Sequence, residues 1–81
     1  MPRFYFHIHN GNGFARDDEG TDAPDRAAAE ALATKGIRSI VAEEALGGMI
    51  DLTGRVEIRD AEGHLLTTVR FAEAFELRTS G

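Results

Sequence analysis

The chain of 81 residues contains no cysteine, so neither a disulfide nor a thiolate zinc site can supplement its core. Hydrophobic burial, with or without oligomerisation, has to suffice. No stretch approaches the roughly 18 consecutive apolar residues of a membrane-spanning helix. Met1-Pro2-Arg3 leads straight into a strand-like run with no apolar segment of a secretory signal, so the expected location is cytoplasmic. Positive charge is also scarce: 9 Lys and Arg against 14 Asp and Glu leave a net charge of −5. Such a balance repels phosphate backbones and anionic bilayers, and neither nucleic acid nor a membrane is expected as a partner. Small domains of this length bury only about 60–65% of their unfolded surface. One thin core leaves little room for a deep pocket.

What is present reads as one α+β domain over residues 1–81. In Arg3 to His9, Phe4, Phe6 and Ile8 alternate with Tyr5, His7 and His9, the pattern of a strand with one apolar and one polar face. Asn10-Gly11-Asn12-Gly13 carries two Asn-Gly pairs, the strongest short hairpin signal, and Phe14-Ala15-Arg16 returns as a short strand to the turn Asp17-Asp18-Glu19-Gly20. Asp22 or Asp25 then supplies a helix cap, with Pro24 tolerated in the first turn. The helix is expected to run to about Leu46. Leu32, Ala33, Gly36, Ile37, Ile40 and Val41 form its apolar stripe, and Gly36 within that stripe points to a close helix–sheet approach, the alternative being a weak point in the helix. Gly47-Gly48 ends it. Val56 and Ile58 alternate with Arg55, Glu57 and Arg59; the turn Asp60-Ala61-Glu62-Gly63 sends His64 to Arg70 back with Leu65, Val69 and Phe71 on one face. Phe71, Phe75 and Leu77 read as a bent extension closing the core, although Phe71 and Phe75 are also one helical turn apart. The expected fold is ββαββ: a four-stranded antiparallel sheet of two hairpins, with one amphipathic helix on one face.

The residues that could carry chemistry are few. His7 and His9 point the same way and lie roughly 7 Å apart along a strand, within reach of a shared metal. A third ligand would have to come from His64, Asp17 or Asp18, and the ordinary reading is half-exposed histidines on the outer face of a sheet. Asp17-Asp18-Glu19 does not fit a calcium loop. The Asn-Gly run is no phosphate cradle, because it joins two strands and lacks the glycine-lysine pattern. Ser39, Ser80 and the threonines sit in no nucleophile context. No enzymatic motif and no cofactor motif is present, and the expectation is a protein without catalytic activity. Phe4 and Phe6 belong to the core. Tyr5, His7 and His9 would then line the uncovered face of the sheet, a surface suited to a protein partner or a second copy.

Met1-Pro2-Arg3-Phe4-Tyr5-Phe6-His7, the Asp17 to Asp25 segment, the alanine-rich helix and Asp60-Ala61-Glu62-Gly63 together resemble a family of short bacterial proteins of unknown function, many of them alphaproteobacterial, that open on MPRYFFH-like residues. That resemblance spans nearly the whole chain and implies the same domain outline, with no activity or catalytic residue to transfer. Met1 to Leu46 is also similar in outline to HicB-type antitoxins, acidic proteins that cover a small basic toxin; here no carboxy-terminal DNA-binding segment follows. The leading expectation is a non-enzymatic interaction domain, self-associating through a sheet edge or the open sheet face. The alternatives are an antitoxin-like module binding a small basic protein and a metal-binding protein using His7 and His9.

Overall fold

A computed structural model describes residues 1–11 and 13–80. The elements follow in the order β1 (Arg3–Asn10), β2 (Gly13–Ala15), β3 (Thr21–Asp22), α1 (Arg26–Leu46), β4 (Arg55–Arg59), β5 (Leu65–Arg70), and a 3-10 turn over Phe71–Ala74. The sheet is antiparallel in the order β2-β1-β4-β5, with β3 paired to β1 as well. Both hairpins and the single helix form as expected.

The fifth strand is the addition. Thr21-Asp22, expected as the approach to the helix, instead pairs with Arg3 and Phe4, and the Arg3 guanidinium meets the Asp22 carboxylate at 3.0 Å. The cap is therefore Asp25, whose Oδ1 accepts the Ala28 N–H at 2.8 Å, satisfying one of the donors that a helix start leaves open. Strand β1 is thus central, held on one side by β4 and on the other by β2 at one end and β3 at the other.

One side of this sheet carries the core. Phe4, Val56, Ile58 and Phe71 are buried against Ala29, Ala33, Ile37 and Val41 of the helix, with Phe6 and Ile8 packed at the margin. The buried helical residues recur every fourth position, a narrow stripe whose two alanines allow close approach. Gly36 does not make that approach. It is exposed, and a Cβ there would meet nothing within 4 Å; it lies at one flank of an apolar groove of about 260 Å³ lined by Phe6, Ile8, Leu32, Ile37 and Ile40.

Gly54 makes the close approach instead. It is buried, and a Cβ on it would stand 2.9 Å from both the His9 carbonyl oxygen and the Phe71 ring, a separation real side chains do not adopt. Its carbonyl accepts the Phe71 N–H at 2.9 Å.

Two further expectations are corrected. Leu65 does not face the core: a register shift between Ile58 and Arg59 inserts an extra residue into β5, so Thr67 opposes Ile58 while Leu65 opposes Arg59. Leu65 is half-exposed and Leu66 packs on the core in its place, as an inserted residue in one strand requires. The tail closes the core with a helical turn rather than an extended bend. Phe71 and Ala74 are its buried residues, the Arg38 guanidinium donates to the Ala74 carbonyl at 2.8 Å, and Leu77 lies 71% exposed. The turn at Asp60 to Gly63 forms as expected, with Gly63 at φ +86°. Of the Asn-Gly run, Gly13 takes a positive φ, whereas Asn12 lies outside the described residues.

Candidate functional site

The face turned away from the helix is built by alternation. Since Val56 and Ile58 are buried, their neighbours Arg55, Glu57 and Arg59 point to the opposite side, and the register places them beside His9, His7 and Tyr5. Thr68 and Arg70 oppose Glu57 and Arg55 from β5. Phe14 opposes His9 from β2, and its ring lies 4.6 Å from the His9 ring and 5.8 Å from that of His7. Tyr5, His7 and His9 thus stand on the uncovered face, joined by Phe14, a residue the sequence reading assigned only to a short return strand. The hairpin signal could have found it, because pairing Asn10 with Gly13 sets Phe14 across from His9.

The imidazoles have local partners. His7 Nδ1 accepts the Asp17 N–H at 3.0 Å, so the neutral ring carries its proton on Nε2. The Asp17 carboxylate in turn accepts N–H groups of Phe6 at 3.1 Å, Glu19 at 3.2 Å and Gly20 at 3.0 Å. Between the short strands β2 and β3 the edge of β1 lacks a neighbouring strand, and this carboxylate supplies the acceptor that a strand would have provided. Partial burial works to raise the Asp17 pKa, but the N–H bonds from Gly20, Phe6 and Glu19 outweigh it and hold the carboxyl below its ordinary value.

His9 Nε2 sits 3.2 Å from Glu57 Oε1. The nitrogen is buried and off the line of a hydrogen bond, which leaves an electrostatic contact that grows when the ring is protonated. His9 and Arg59, the latter at 3.3 Å, outweigh burial and keep the Glu57 carboxyl below its ordinary value.

His64 lies elsewhere, its Nδ1 3.1 Å from Asp60 Oδ2. Among the described residues one group of three possible metal ligands converges, Asp60, Glu62 and His64. It includes neither His7 nor His9. Asp60 already accepts the N–H groups of Glu62 at 2.9 Å and His64 at 2.8 Å, the bonds of a capped turn, and the His64 N–H leads the groups that hold its carboxyl low against partial burial. A polar groove of about 220 Å³ lies between Tyr5, His7, Arg16, Asp17, Arg59 and Asp60; charges of both signs line it, and no nucleophile with an adjacent base stands in it.

The arrangement defines a small α+β domain with an open antiparallel sheet, one face roofed by a helix and the other presenting aromatic, imidazole and guanidinium groups. Among the described residues, no helix is long and apolar enough to cross a membrane. A family model described as a domain of unknown function (DUF6894) matches residues 3–72, and the chain belongs to that family. No curated protein and no solved structure matches it.

Proposed function

We propose that this protein is a non-enzymatic interaction domain that associates with a second copy of itself through the open sheet face. The observation that carries this reading is Phe14, 55% exposed yet tilted against the His9 ring on a sheet face that no element among the described residues covers. Isolated exposed apolar side chains are ordinary, but an aromatic ring set on two imidazoles beside Tyr5 makes a patch with the amphipathic character of interaction surfaces. A location in the cytoplasm fits the same reading.

The alternatives draw less support. Around Glu57 the open face carries Arg55, Arg59 and Arg70, a poor cover for a basic toxin. A shared metal at His7 and His9 would compete with the hydrogen bond His7 Nδ1 accepts and the contact of His9 with Glu57.

Light scattering over a concentration series tests the proposal. A dimer that dissociates in Phe14→Ser, with the variant's circular dichroism unchanged, is the expected result. A wild-type monomer at the highest concentration overturns it.

A further inference from the structure

The open face holds a charge arrangement that internal pairing does not explain. Arg55 and Arg70 are direct cross-strand neighbours, which sets their Cβ atoms roughly 4.5–5.5 Å apart on one face and makes like charges unfavourable there. Arg3, Arg16, Arg59 and Arg78 each meet a carboxylate. Among the described residues no carboxylate lies in ion-pair contact with the guanidinium of Arg55 or Arg70, in a chain with 14 acidic residues.

The nearby acids are committed elsewhere. Glu57 faces His9 and Arg59. Asp51 accepts the Thr53 N–H at 2.9 Å and the Thr53 hydroxyl at 2.5 Å. Glu73 accepts the Arg70 backbone N–H at 2.9 Å. Both arginines border a groove of about 400 Å³ that Leu52, Thr53, Gly54 and Ala72 complete.

We propose that this groove binds a phosphate group, as inorganic phosphate or a phosphomonoester. Two guanidinium forks provide ten N–H donors and two positive charges, which match the oxygens and the charge of about −1.5 to −2 of a phosphate at neutral pH. A bound dianion converts the repulsion between Arg55 and Arg70 into attraction toward a common centre, whereas a carboxylate neutralises only one of them. The rest of the protein, being acidic, repels the same anion and so confines it to this face. The site requires one chain only but shares the open face with the proposed dimer contact, so titrating the Phe14→Ser variant alongside the wild type separates phosphate binding from self-association.

Titrations followed by NMR, observing backbone amides and arginine Nε–H signals at constant ionic strength, decide the matter. Inorganic phosphate should give a saturable isotherm centred on Arg55, Arg70, Thr53 and Gly54, weakened about tenfold or more in Arg70→Gln and in Arg55→Gln, two exposed positions whose variants leave the core intact. Acetate should bind at least several-fold more weakly. Methyl phosphate binding equally well or better assigns the site to a phosphoryl group on an organic carrier; binding of inorganic phosphate alone assigns it to the free ion. Failure of both to saturate, shifts spread equally over Arg3, Arg16 and Arg26, or acetate binding as tightly as phosphate would overturn the proposal.

Discussion

The two faces of the sheet are made from the same strands and differ in what satisfies them. On the helix side, Phe4, Ile37, Ile58 and Phe71 are each no more than 5% exposed, and contact with one another is their whole contribution. On the open side, Tyr5, His7, His9, Glu57 and Arg59 are half-exposed; hydrogen bonds order His7 against the Asp17 loop and Arg59 against Gly63 and Glu57, and His9 faces Glu57 electrostatically. The first face sets stability through volume, the second carries the charge and geometry on which the proposed recognition depends, and substitutions on each should separate accordingly.

The largest effect is expected from Phe71→Ala. This side chain is fully buried beneath Gly54, and its removal leaves a cavity in a core with few large residues, for a loss of about 3–5 kcal/mol in urea unfolding. A cost under about 1 kcal/mol would mean that the terminal turn is not part of the core.

A smaller loss, about 1–3 kcal/mol, is expected for Asp17→Asn, since an amide cannot accept the Phe6, Glu19 and Gly20 N–H groups on two equivalent oxygens. Its pH dependence sharpens the comparison. The Asp17 carboxyl is held low in the folded protein, so the unfolded chain binds the proton more readily. Its stabilisation is present above the unfolded value near ~4 and disappears as pH falls through the folded value below that. Stability of the wild type relative to Asp17→Asn should therefore shrink on acidification through that range; a constant difference would show that the carboxylate's charge is not what the loop uses.

The smallest effect has the opposite sign. Gly36→Ala adds a methyl group that meets nothing within 4 Å and replaces a poor helix former, so thermal unfolding should show a gain approaching 1 kcal/mol. Destabilisation there would mean that the groove beside Gly36 closes in solution.

Much of the fold was legible in the chain because its signals are local. The alternation from Phe4 to His9 decides which side chains face the core, and the expected helical stripe is right at Ala33, Ile37 and Val41, whereas Ala29 joins the core and Leu32 and Gly36 lie exposed at its flank. Gly36 misled because a glycine in an apolar stripe has two meanings, close contact or weak propensity, and only the distance to the opposite layer separates them. Gly54 was missed for the converse reason. It sits in no periodic segment, and the His9 carbonyl and Phe71 ring that exclude a side chain there come from distant parts of the chain.

The open face was legible only in part. Tyr5, His7 and His9 follow from period two along one strand, whereas Phe14 over His9 and Arg55 against Arg70 depend on register between strands. The Asp17 carboxylate reads as part of a solvated acidic turn until the bare edge of β1 is known.

By itself, the sequence determined the two hairpins, the helix and the polarity of each face, because backbone propensity and hydrophobic period act over a few neighbouring residues. Tertiary structure alone decided the pairing of Thr21-Asp22 with β1, the inserted residue that turns Leu65 out, and the opposition of Arg55 and Arg70 across two strands. Each depends on which distant segments lie side by side, and that is fixed by the packing of the whole core.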